Sequence, residues 1–108
     1  MATAESFAGI TDSQLVVAAD TNELPGASCW RRILSGGLVD AAGTDTTPTF
    51  PANGARARID AVFVPAGVRV VGYAVGDAAL PRGTDPRLLR RASDHLPVVV
   101  DLLPMSAG

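Results

Sequence analysis

Short apolar runs separated by long polar stretches set the order of elements along this chain. Leu15 to Ala19 is an apolar run that ends in Asp20-Thr21-Asn22. Its length and its valines suit a strand buried on both faces, although periodicity alone also allows a helical segment. Pro25-Gly26 breaks the chain. Ala27 to Ser35 then reads as a short helix with Trp30, Ile33 and Leu34 inward, stopped by Gly36-Gly37. Residues 40–57 hold Thr, Pro, Gly and Asn with few large apolar side chains, which predicts a long loop. Thr47-Pro48-Thr49-Phe50-Pro51 lacks helical character throughout, and long loops in compact domains are often functional. Arg58 to Val64 predicts a second strand, Pro65-Ala66-Gly67 a turn, and Val68 to Val75 a third strand, the two forming a hairpin. Residues 76–92 predict a second polar loop, and Leu96 to Leu103 a last strand, apolar on both faces. The result is an α/β chain: a mixed or mainly antiparallel sheet of about four strands with one short helix. Residues 1–14 read as a flexible N-terminal segment, 15–103 as the folded unit and 104–108 as a tail.

Composition narrows the picture. A chain of 108 residues is one domain at most, and a chain of this size buries about two-thirds of its unfolded surface. With 47% apolar and 19% charged residues it reads as globular. The net charge is −2, all nine cations are arginine and there is no basic tract, so a strong electrostatic grip on nucleic acid is not evident. Arg31-Arg32 and the arginines from Arg87 to Arg91 read as solvated charge. The arginine-only, alanine-rich composition suggests a GC-rich bacterial genome. Cys29 is the one cysteine, so an internal disulfide is excluded, and beside Trp30 it reads as a buried apolar thiol. No apolar run approaches the roughly 18 residues of a membrane span. The N-terminus lacks the charged-then-apolar order of a signal peptide, which makes a cytoplasmic location the expectation.

Three polar motifs sit at the edges of apolar runs. Asp20 and Asn22 are spaced so that in extended chain their side chains point the same way, a carboxylate to orient or deprotonate a water and an amide to donate to a phosphate oxygen. The same residues also suit an ordinary turn. Asp60 shares a strand face with Val62 and Val64. A carboxylate there is either paired, with an arginine or with an imidazole whose tautomer it fixes, or lies on an edge strand facing water. Asp94 and His95, the chain's one histidine, directly precede the last strand. Asp94 suits a hard cation and His95 suits an acid, a base or a stabiliser of charge on phosphorus. The alternative is a capping carboxylate beside a surface imidazole.

Taken in order, Asp20-x-Asn22, Arg58-Ile59-Asp60 and Ser93-Asp94-His95-Leu96-Pro97-Val98 resemble the endonuclease/exonuclease/phosphatase superfamily of the DNase I-like fold. That family carries Gly-Asp-Phe-Asn, Arg-Ile-Asp-Tyr and Ser-Asp-His-x-Pro at the corresponding places. The similarity runs from about Leu15 to Leu103. Ala19, Thr21 and Ala61 depart from the family's glycine, aromatic residue and tyrosine but leave the polar atoms in place. The resemblance implies that Asp20 positions or activates the attacking water, Asn22 binds the scissile phosphate, Asp60 orients His95, Asp94 helps to bind the metal and His95 contacts the phosphate. It implies hydrolysis of a phosphodiester or phosphomonoester that depends on Mg²⁺ or Mn²⁺.

The family fold is a four-layer sandwich of two sheets, of which this chain resembles the C-terminal half. The family's metal-binding glutamate and a further histidine or tyrosine belong to the other half, and no residue here matches them. One short helix cannot cover both faces of about four strands, so an apolar sheet face is expected to be exposed and to invite the missing half or a second copy. The chain is therefore expected to be a partial gene product, weakly active alone, with a non-catalytic binding or assembly half-domain as the alternative. Nucleic acid, a nucleotide, or a phospholipid or inositol phosphate all remain as substrates, and loops 40–57 and 76–92 are expected to border the cleft.

Overall fold

The computed structural model describes residues 15–103, so the segment 1–14 and the tail 104–108 lie outside the described residues. The order of elements is β1 (Val17–Asp20), α1 (Ser28–Ser35), β2 (Leu38–Asp40), β3 (Asp60–Pro65), β4 (Arg69–Val75), a 3-10 turn (Gly76–Ala79), α2 (Arg87–Ala92) and β5 (Val98–Leu103). The strands form two antiparallel sheets, β1-β3-β2 and β4-β5.

The expected hairpin of β3 and β4 is corrected by this topology. Pro65-Ala66-Gly67 does turn the chain, with Val68 N–H donating to the Pro65 carbonyl at 3.0 Å. Both edges of β3 are already taken, however, by β1 (Val17 opposite Phe63) and β2 (Val39 opposite Val64). β4 therefore leaves the sheet at the turn and pairs with β5 instead.

β3 buries both faces, as its near-continuous apolar run requires. On one face Ala61 and Phe63 meet Trp30 and Ile33 of α1, with Val17, Cys29 and Leu38 packed around them. Trp30 and Phe63 pack edge to face, their ring centroids 5.2 Å apart. On the other face Val64, with Val62, meets Ala41, Val68, Val70, Val100 and Leu102, so this second cluster is the seam between the two sheets.

α1 has no side-chain cap at Ala27. Glu23 supplies one from outside the helix, accepting from Cys29 N–H at 2.8 Å and from the Ser28 hydroxyl at 3.3 Å. Thr21 Oγ1 and the Glu23 carbonyl both accept from Trp30 Nε1–H, which ties the helix to the end of β1. Gly37 ends the helix at φ +93°. Leu34, expected inward, is 39% exposed. The stripe that meets the sheet is narrow, set by Trp30 and Ile33, and Leu34 lies one residue further round.

Neither predicted loop is wholly irregular. Asp40 belongs to β2, and the second loop contains the 3-10 turn and α2, which buries no residue and so gave no apolar stripe to read. Outward positions of the small sheet, Val71, Val99 and Leu103, are 52%, 42% and 47% exposed, interrupted by Arg69 and Asp101. Among the described residues no helix is long and apolar enough to cross a membrane.

Candidate functional site

The site begins with strand register. Asp20 and Asp60 are direct partners across β1 and β3, so their side chains leave the same face side by side. Two like charges in that position repel. His95 lies between them. Its Nδ1 is 2.7 Å from Asp60 Oδ2, its Nε2 is 3.5 Å from Asp20 Oδ2, and the same Nε2 is 3.9 Å from Asp94 Oδ1. Side-chain exposure rises outward through the group, from 18% at Asp60 and 24% at His95 to 42% at Asp20 and 79% at Asp94.

The partner at each ring nitrogen assigns its role. A carboxylate can only accept, so Nδ1 carries the proton shared with Asp60, and Nε2 is left facing the rim. The hydrogen bond to Asp60 raises the His95 pKa above 6.5, against a smaller lowering by desolvation and with further help from the charges of Asp60, Asp20 and Asp94. A raised pKa favours the imidazolium, whose second N–H, at Nε2, can donate to an anion. Asp20, Asp60 and His95 also each offer an atom within 4.8 Å of the others, a spacing that could hold a metal ion only with the imidazole neutral.

The loop before β3 builds the wall behind His95. The Phe50 ring lies against the imidazole, centroids 4.7 Å apart and tilted by 44°. Leu96 N–H donates to the Thr49 carbonyl at 2.8 Å, and Ala52 N–H to the Asp94 carbonyl at 2.6 Å. Thr49, with no exposed surface, accepts at Oγ1 from the N–H groups of Ile59 and Asp60. The Ser93 hydroxyl accepts His95 N–H at 3.1 Å. In front of the group a cleft of about 220 Å³ runs between the sheets, lined by Asp20, Asp60, Val62, Leu96 and Val98 among others.

Four of the five expected residues thus gather at one rim: Asp20, Asp60, Asp94 and His95. Asp60 opens a central strand and pairs with the imidazole, so the edge-strand alternative does not apply. Asn22 differs from expectation. The extended chain ends at Asp20, and Asn22 sits at φ +52°, with its N–H donated to Asp20 Oδ1 at 3.0 Å. The turn and the site therefore use the same aspartate, one oxygen for each. Arg58, between Asp40 at 2.7 Å and the Trp30 ring at 4.8 Å, braces the start of β3. Cys29 is only partly buried, packed against the Trp30 cluster. Sequence reasoning missed Thr49, Phe50 and Thr21. Thr21 stood out only as a departure from the family's aromatic residue, and the other two lay in a loop expected to border the cleft, with no role given to either.

A model of the Endonuclease/Exonuclease/phosphatase family matches residues 8–95 of this chain. Among solved structures, the mannosyl-6-phosphatase of Bacteroides thetaiotaomicron has a similar fold, with a TM-score of 0.66 at 24% identity. The likeness covers 92% of this chain and 40% of that one, so the chain spans two-fifths of its structural neighbour. The two sheets and few helices match a partial DNase I-like fold. None of the curated proteins matches the chain with significance.

Proposed function

Since this chain belongs to the Endonuclease/Exonuclease/phosphatase family, we propose that it carries part of a metal-dependent site for hydrolysis of a phosphodiester or phosphomonoester. The observation that supports this best is the imidazole held between two opposed carboxylates, 2.7 Å from Asp60 and 3.5 Å from Asp20. Asp60 orients His95 and keeps its proton at Nδ1. His95 contacts the phosphate through Nε2 and opposes the charge that builds on phosphorus. Asp20 orients or deprotonates the attacking water, and the family resemblance alone gives Asn22, on the turn that follows, the scissile phosphate.

The residues present fit a hard cation. Asp94 and Asp20 are exposed oxygen donors on the Nε2 side, and Mg²⁺ keeps several waters and takes only one or two carboxylates. Asp94 is the proposed ligand, because Asp60 is committed to the imidazole. When bound, Mg²⁺ or Mn²⁺ supplies Lewis acidity toward the phosphoryl oxygen. The phosphatase neighbour is consistent with this class of chemistry but leaves the substrate open.

Titrating the labelled chain with Mn²⁺ tests the reading, since paramagnetic broadening reports even weak binding. Resonances of Asp20, Asp94 and His95 should broaden first, and D94N should abolish the effect. Broadening centred elsewhere would count against the assignment. Hydrolysis of a chromogenic phosphodiester is expected to be slow but metal-dependent, and lower by about 100-fold in H95Q. The exposed Val71, Val99 and Leu103 favour a second reading, a non-catalytic half-domain for binding or assembly. That reading calls for association without Mn²⁺ binding at the rim.

A further inference from the structure

Asp60 and His95 belong to different sheets. Asp60 opens β3 in the three-stranded sheet, and His95 lies on the approach to β5 in the two-stranded one. Their strands share no ladder, yet the two side chains meet at 2.7 Å. The loop at residues 49–52 touches both sides. Thr49 Oγ1 accepts Ile59 N–H at 3.1 Å and Asp60 N–H at 3.2 Å, which fixes the backbone from which the carboxylate projects. The Thr49 carbonyl accepts Leu96 N–H at 2.8 Å, which fixes the chain just after the imidazole. Ala52 N–H reaches the Asp94 carbonyl, and the Phe50 ring lies against His95. The loop is itself closed by the bridge between Phe50 and Ala57.

We propose that Thr49 is a positioning residue that sets the distance between Asp60 and His95 across the two sheets. A buried N–H needs an acceptor, and the Thr49 hydroxyl serves two of them at the point where β3 begins. Without it the start of β3 must move to find other partners, and Asp60 moves with it. This deepens the reading above, resting on Asp60 and His95 as its working groups, but its test reads geometry and needs no turnover.

The test is solvent exchange of the His95 Nδ1–H proton by NMR in the whole chain, where a single histidine leaves no ambiguity of assignment. The wild type and T49S, which keeps the hydroxyl, should show a protected Nδ1–H. In T49V, of similar shape but with no acceptor, its exchange should accelerate about tenfold or more, together with that of the Ile59 and Asp60 amides. Amides of the β4–β5 ladder should keep their rates. Equal Nδ1–H exchange in T49V and wild type overturns the proposal. So does a uniform acceleration of all amides, which would mean general loosening. If T49V does not fold, T49C takes its place as a weaker acceptor. Its Nδ1–H must then exchange faster than in T49S, and equal rates overturn the proposal. A wild-type chain with no protected Nδ1–H also overturns it. Failure to hydrolyse a phosphoester leaves all these rates untouched, so the two failures are distinguishable.

Discussion

At the scale of single residues, His95 links the site to stability. Its pKa is raised in the fold, chiefly by the hydrogen bond to Asp60. A raised pKa means that the folded state holds the proton more tightly than the unfolded chain, whose imidazole titrates near 6.5. The stabilisation is therefore complete below about pH 6.5 and is lost as pH rises through the folded value. The denaturation midpoint of the wild type should fall as pH is raised from about 6 to 8.5, a range in which few other side chains titrate. D60N should flatten that fall, and an unchanged slope in D60N would mean that the imidazole is held by other groups. Thr21 offers a second test at this scale. Its buried hydroxyl accepts from the indole and donates to the Ile59 carbonyl at 2.8 Å. T21V should cost about 1–3 kcal/mol in urea unfolding, with the indole's remaining bond to the Glu23 carbonyl limiting the loss.

Among the elements, α1 shows what an amino-acid sequence can and cannot disclose. The breaker Pro25-Gly26, the apolar Trp30 and Ile33 and the stop at Gly36-Gly37 were all readable, and the helix spans Ser28–Ser35. Its cap was not, because Glu23 lies outside the helix and reaches it through the fold of the turn. E23A should cost about 1 kcal/mol, as loss of an N-terminal cap does, measured as a shift in the urea midpoint. The same limit applies to strands. Apolar runs located β1, β3, β4 and β5, but β2 has only three residues, too few for an alternation to register. Turn chemistry announced the reversal after β3 without naming the partner of β4, since pairing is decided by strands distant in the chain. In the site, Asp20, Asp60 and His95 drew attention through the order of their motifs, which resembles the family's, since each alone also suits a turn, an edge strand or a cap. Thr49 did not, since threonine in a Pro-rich loop has many ordinary uses.

For the molecule as a whole, the seam between the sheets connects packing to chemistry. Val64 has no exposed surface and packs with Val68, Ala41, Val100 and Leu102, the last two carried by β5. β5 is also the strand that His95 precedes, while Asp60 and Val64 lie on the same strand and the same face. The seam and the Asp60–His95 contact are therefore two joints between the same pair of sheets, one apolar and one polar. V64A removes two methyl groups from the apolar joint and should cost about 2 kcal/mol. If the sheets moved as one rigid body, that loss would appear as stability alone. Because β4 and β5 meet the other sheet through side chains and a loop, with no ladder between them, the loss should also be felt at the polar joint. Nδ1–H exchange at His95 should accelerate in V64A more than amide exchange in the centre of either sheet. V17A removes a similar volume on the opposite face, where Val17 packs against the Trp30 cluster, and serves as the comparison. It should lower stability by a similar or smaller amount while leaving the exchange of the imidazole proton, relative to the strand amides, unchanged. A V64A protein whose imidazole proton tracks the strand amides would show that the loop through Thr49 alone holds the site together.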